Sequence, residues 1–211
     1  MPLTPRRGLR LLAATLGLAA LSAAPAQAKG AIANPYDCKP NPTLSQPFAP
    51  FNDLGLYTPV ANQGFEAAAT SWMLAGGAAV VGGNEPWKVA GAADSHALDL
   101  PSGSSAVTSP ICIDQTYPYF RLFALNAGSG KRSLEIDVLY YDTKGKVLST
   151  KPYGYETAAT AWQPTPTIAI DVWDKGPAAV AAPVAFRFMP KGKDAHFLID
   201  DVLVDPYARA R

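Results

Sequence analysis

The sequence predicts an all-β fold, a two-sheet antiparallel sandwich, on three observations. Short runs of alternating apolar residues recur along the chain. Clusters of glycine and proline separate those runs. No stretch keeps a helical period without interruption.

The alternating runs are His96 to Leu100, Leu134 to Tyr141, Ile168 to Val172 and Val184 to Phe188. A period of two puts their apolar side chains on one face of a sheet. The breakers are Gly76-Gly77, Gly82-Gly83, Pro101 to Gly103, Asn126 to Gly130, Pro164 to Pro166 and Pro190 to Gly192. Asp142-Thr143-Lys144-Gly145 lies between strand-like runs and predicts a hairpin. Glu66 to Gly77 is the best helical stretch, but glycines and the β-prone Thr70 and Trp72 interrupt it. Ala178 to Ala182 is bracketed by Pro177 and Pro183. Many short strands with regular turns and no helix suit a sandwich or barrel.

The first 28 residues have a different character. Arg6, Arg7 and Arg10 precede an apolar stretch from Leu11 to Ala24, and Ala26-Gln27-Ala28 follows. A basic start, an apolar core and a small-x-small step are the parts of a signal peptide, so residues 1–28 are expected to be removed on export. The apolar run is shorter than the roughly 20 residues that span a bilayer. The Arg6-Arg7 pair suits the twin-arginine route, but Pro5 stands where Ser or Thr is usual; Sec and twin-arginine export both remain open. The expected location is secreted or extracytoplasmic.

Composition narrows the function classes. The 18 basic residues less Arg6, Arg7 and Arg10 leave 15, against 17 acidic ones, a net charge of −2 for the exported part. A near-neutral chain lacks the basic stripe expected of a nucleic-acid binder and the polybasic segment of a membrane-surface protein. No second apolar run reaches spanning length. Cys38 and Cys112 are the two cysteines, and in an exported chain such a pair predicts a disulfide. Prolines at 35, 40, 42, 47, 50 and 59 deny residues 29–60 a helix or a central strand. That segment reads as an extended arm laid over the domain through Phe48, Phe51, Leu54, Leu56 and Tyr57. A sandwich over residues 61–207 and a tail at 208–211 complete the organisation.

Two fragments are more specific than periodicity. One is Asn62-Gln63-Gly64-Phe65-Glu66 followed by Trp72; the other is the closing Phe197-Leu198-Ile199-Asp200-Asp201-Val202. Between them stand the Tyr140 to Lys146 hairpin, Trp162, and Ala185-Phe186-Arg187-Phe188. In that order they resemble the jelly-roll carbohydrate-binding modules of the galactose-binding-like superfamily, over roughly residues 60–205. The whole chain also resembles small secreted bacterial proteins. The resemblance implies two packed antiparallel sheets with the first and last strands adjacent, frequent sugar binding, and often a structural calcium. No catalytic domain accompanies the module within these residues.

The calcium expectation falls on Glu66, Asp200 and Asp201. Ile199 and Val202 are three apart, so both face the core only if the strand bulges at Asp200-Asp201. A bulge turns one carboxylate to the sheet edge, where Glu66 belongs if the first strand pairs with the last. Calcium takes six to eight hard oxygens. Glu66 with Asp200 is the favoured set and Asp201 the alternate. The competing reading leaves one aspartate in solvent and the other accepting backbone amides.

Catalytic patterns are incomplete. Asp94-Ser95-His96 holds the residue types of a triad, but neighbours on a strand face opposite ways. Gly128-Ser129-Gly130-Lys131 lacks the remaining positions of a phosphate loop and precedes a strand. Glu66, Glu135, Asp137, Glu156 and Asp171 supply carboxylates with no motif that fixes a glycosidase pair. The chain is therefore expected to be a non-catalytic binder of a glycan or cell-envelope polymer; the alternative is a structural or protein-interaction sandwich. Sugar C–H faces pack on aromatic rings. The candidate rings, chosen for their place beside turn residues, are Trp87, Tyr117, Tyr119, Tyr153 and Tyr155. Trp72 and Trp162 are expected in the core.

Overall fold

The computed structural model describes residues 43–113, 119–170 and 182–205. The chain divides into two units, Met1–Ile32 and Ala33–Arg211, and the first lies wholly outside the described residues. The predicted signal peptide, Cys38 and Tyr117 also lie outside them.

Thirteen strands and one short 3-10 turn (Ala49–Phe51) form the described part. One sheet runs β10 (Gln163–Pro164), β7 (Tyr119–Asn126), β13 (Phe197–Asp205), β4 (His96–Leu100), β3 (Ala79–Gly82). Two short strands join it, β1 (Thr58–Pro59) on β13 and β11 (Ile168–Ala169) on β7. The second sheet runs β2 (Trp72–Ala75), β5 (Ser105–Thr108), β12 (Ala182–Lys191), β8 (Arg132–Tyr141), β9 (Val147–Thr157), with β6 (Ile111–Ile113) on β12. All these pairings are antiparallel. The fold is a two-sheet antiparallel jelly-roll sandwich.

The alternating residues do what their spacing predicts. Leu98, Leu100, Phe120, Leu122, Phe197 and Ile199 of one sheet are buried in one core with Leu134, Ile136, Val138, Val184, Phe186 and Phe188 of the other. Phe120 and Phe186 meet across the core with ring centroids 4.6 Å apart. Burying each such side chain stabilises the fold by about 1.5–3 kcal/mol. Trp72 lies in this core, its indole N–H donating to the carbonyls of Ala61 and Asn62. The β8–β9 hairpin closes at Asp142, whose carboxylate accepts the amides of Lys144 and Lys146.

The β13 bulge is present. Register against β7 shifts between Asp200 and Leu203, and Asp201 takes a left-handed conformation, φ 47°. Ile199 and Val202 consequently both face the core.

The segment before the sandwich covers part of the outer face of the first sheet. Phe48 and Tyr57 are fully buried there with Phe123 and Leu203, and Phe51 and Trp162 pack against them. Arg121 lies over the Phe48 ring, 4.2 Å from its centroid, and its Nη1 donates to Asp53 Oδ2 at 2.7 Å. Asp53 also accepts from Tyr57 Oη at 2.6 Å and from the Gly55 amide. Leu54, by contrast, is exposed.

Candidate functional site

The β13 bulge delivers Asp200 and Asp201 into the interior beside the loop between β3 and β4, which contributes Glu85 and Asp94. All four side chains are almost fully buried. None of the ion pairs among the described residues involves them. Lys88 donates to the backbone carbonyls of Ala92 and Asp94 rather than to a carboxylate. Burial first, then the charge of Asp94, raises Asp200 far above the ordinary carboxylate range; burial and the adjacent Asp200 do the same for Asp201. Burial, with Glu66 and Glu85 nearby, pushes Asp94 up to about 6.

Oxygens of Glu85, Asp94 and Asp201 lie within 4.8 Å of one another. Among the described residues, neither carboxylate oxygen of Asp94 and neither of Asp201 has a hydrogen-bond partner. A β-carbon on Gly64 would stand 2.8 Å from Asp94 Oδ1 and 3.4 Å from Asp201 Oδ1, so glycine keeps this space open. Buried orphaned oxygens are costly. Hard anionic oxygens converging on one point are the donor set of a calcium-like cation, so these residues fit such an ion.

The set differs from the expected one. Glu66 lies not on a strand beside β13 but in the turn before β2, and β2 belongs to the other sheet. Burial raises its carboxyl, but together the amides of Ser95 (2.6 Å) and His96 (2.8 Å) and the side chains of the same two residues outweigh this and hold its pKa down at about 2. Asp200 Oδ2 accepts the Glu85 amide and Oδ1 accepts the Asp201 amide. Asp201 and the unpredicted Glu85 and Asp94 are the converging carboxylates.

Ser95 does meet His96, because Ser95 precedes β4 rather than lying on it. Ser95 Oγ and Glu66 Oε2 both address His96 Nδ1, at 3.1 Å and 3.0 Å. A triad needs the nucleophile and the orienting acid on different ring nitrogens of the histidine base, so this contact does not form one.

The four candidate rings among the described residues, Trp87, Tyr119, Tyr153 and Tyr155, do not converge. Tyr155, 9% exposed, lies in the core, and Tyr153 packs against it. They occupy β9 opposite Leu134 and Ile136, so they share those residues' inward face. Trp87, 41% exposed, packs edge-on to Phe51 on the other side of the sandwich. Tyr119 starts β7, where it pairs with Asp205 and Ala169.

Register identifies a different surface, the outer face of the second sheet. One row crosses it as Met73, Val107, Arg187, Asp137 and Pro152. The next holds Met189, Glu135 and Gly154, and the next Lys191, Ser133 and Glu156. Pro152 is tolerated because β9 is an edge strand. Asp137, nearly buried, accepts from both Nε and Nη2 of Arg187. Arg187 is therefore pinned, while no protein acceptor among the described residues is bonded to its Nη1. Lys191 pairs with Glu135 at 2.7 Å. Above Gly154 a β-carbon would meet nothing within 4 Å. The face leads into a cleft of about 390 Å³ between the β7–β8 and β12–β13 loops. Fixed polar groups beside apolar Met73, Val107 and Met189 can hydrogen-bond sugar hydroxyls and carry C–H surface.

No family model matches the chain, and no curated protein does. Solved structures do. The C-terminal family 22 carbohydrate-binding module of Clostridium thermocellum Xyn10B aligns at 17% identity and a TM-score of 0.44, over 70% of this chain and 92% of that one. A family 61 module in complex with beta-1,4-galactotriose aligns at 16% and 0.42, over 70% and 97%. The chain also aligns with the CBM22-1–GH10 portion of the Clostridium thermocellum xylanase 10B at 14% identity and a TM-score of 0.47, over 70% of this chain but only 28% of that structure.

Proposed function

We propose that this chain is an exported, non-catalytic glycan-binding module whose ligand lies along the outer face of the second sheet. The observation that carries the proposal is the Asp137–Arg187 pair: a nearly buried carboxylate fixes a guanidinium on that face with donors to spare. Preorganised donors lose little entropy on binding, which suits recognition of hydroxyl-rich polymers. The floor is poor in aromatic rings, so directional hydrogen bonds rather than ring stacking carry the recognition.

In the same reading, Glu85, Asp94 and Asp201 hold a structural calcium, and Asp200 supports the loop by accepting the Glu85 amide. A bound divalent cation would neutralise the buried carboxylates and tie the β3–β4 loop to β13. It stabilises and positions; none of the face residues depends on it for chemistry.

The test is affinity electrophoresis of the purified protein through gels containing a panel of plant, fungal and bacterial polysaccharides. At least one polymer should retard it, and Arg187→Gln, compared under conditions where it is shown to be folded because it leaves the buried Asp137 carboxylate short of its partner, should weaken that retardation about tenfold. A protein retarded by no polymer contradicts the proposal.

A further inference from the structure

The open end of this face has an unusual charge for a chain so close to neutral. The cleft is lined by Lys131, Arg132, Lys191 and Lys193, against the carboxylates Glu156 and Asp194. Two turns bring these cations together. Gly192, at φ +104°, reverses the chain after β12 in a conformation that a side chain resists, and the loop after β7 sets Lys131 and Arg132 opposite.

The existing pairs do not use up this charge. Lys131 meets Glu156 at 2.5 Å with both side chains more than half exposed. Arg132 reaches Asp194 only at 4.0 Å. Lys193 forms no ion pair among the described residues. Exposed pairs of this kind contribute about 0–1 kcal/mol each, so an arriving oxyanion displaces a carboxylate at little cost. Lys191 links the cleft to the floor, since it lines the cleft and also pairs with Glu135.

We propose that the ligand is an acidic glycan, one whose carboxylate or sulfate substituents seat among Lys131, Arg132, Lys191 and Lys193 while its sugar ring lies along the Glu135–Arg187 floor. This rests on the glycan-binding reading and adds the charge of the polymer to it. Arg132 supplies a planar fork for an oxyanion, and the lysines supply point charges around it.

The experiment compares matched polymers that differ in charge: polygalacturonate against its methyl ester, and dextran sulfate against dextran. Affinities are measured for the full chain and for the K131Q/K193Q variant, whose side chains are exposed, with melting temperature as the folding control. In at least one pair the acidic polymer should bind about tenfold or more tightly than its neutral partner, and added salt should erode the preference. K131Q/K193Q should lose most of that preference and melt like the parent. Equal binding within both pairs, or an undiminished preference in the variant, overturns the acidic-ligand proposal; if neutral polymers still bind, the glycan reading survives it. Binding to none of the four, and to no other glycan, defeats both.

Discussion

Asp201 on the β13 bulge and Glu85 in the β3–β4 loop aim carboxylate oxygens at a common point, within 4.8 Å of each other and of Asp94. Like charges at that range in a buried place stay together only if protonated or neutralised. The proposed calcium supplies the neutralisation. Adding calcium to chelator-treated protein should therefore raise its melting temperature, by about 2.7 kcal/mol of stability at a hundredfold excess over the dissociation constant. Glu85→Gln with Asp201→Asn should abolish the response. Glu66→Gln should preserve it, because Glu66 is not among the three converging carboxylates. Thermal melts of the three proteins, with and without calcium, decide the point; identical curves for the parent reject the ion.

Asp53 sets part of the acid sensitivity. Burial raises its carboxyl, but hydrogen bonds from Tyr57 and Gly55 and the Arg121 guanidinium outweigh this and leave it below its ordinary value. A depressed folded value contributes stability above the unfolded value, and that contribution disappears as pH falls through the folded one. Asp53→Asn should cost about 1–3 kcal/mol near neutrality. Its deficit against the parent should shrink below about pH 4. Urea melts across pH 3 to 7 measure both effects.

Cys112 on β6 is not a free thiol, and the sequence's other cysteine is Cys38. A Cys38–Cys112 bridge is the expected pairing. It should leave no alkylatable thiol without reductant, and reduction should cost up to about 4–5 kcal/mol by the chain-entropy model. Intact mass after alkylation, with and without reductant, reads the pairing directly.

The rings separate by role. Tyr155→Ala should destabilise the fold by about 3 kcal/mol, since it opens the core. Trp87→Ala should cost less, and should leave glycan affinity unchanged because Trp87 lies away from the second sheet. Paired melting and binding measurements check both.

Much of the fold was legible in residue order. Alternation exposed the inward faces of β4, β8 and β12, and the three-residue gap between Ile199 and Val202 revealed the bulge. The division of strands between sheets was not legible, because it depends on contacts far apart in sequence; this misplaced Glu66. Glu85 and Asp94 lie in coil without periodicity, so no local pattern could nominate them. Tyr153 and Tyr155 flank Gly154 beside Pro152, which imitates a turn. Their two-residue spacing was the better signal, and the proline is accommodated at the sheet edge. The Asp137–Arg187 pair needed the β8–β12 register, which local sequence does not specify.

The most direct test of the ligand face is amide chemical-shift mapping during titration with an oligosaccharide cut from whichever polymer retards the protein. Binding on the second sheet predicts the largest changes at Glu135, Asp137, Gly154, Arg187 and Lys191, with Trp87 and Tyr119 unmoved. Changes centred on Trp87 or Tyr119, with the Glu135–Arg187 face silent, would contradict it.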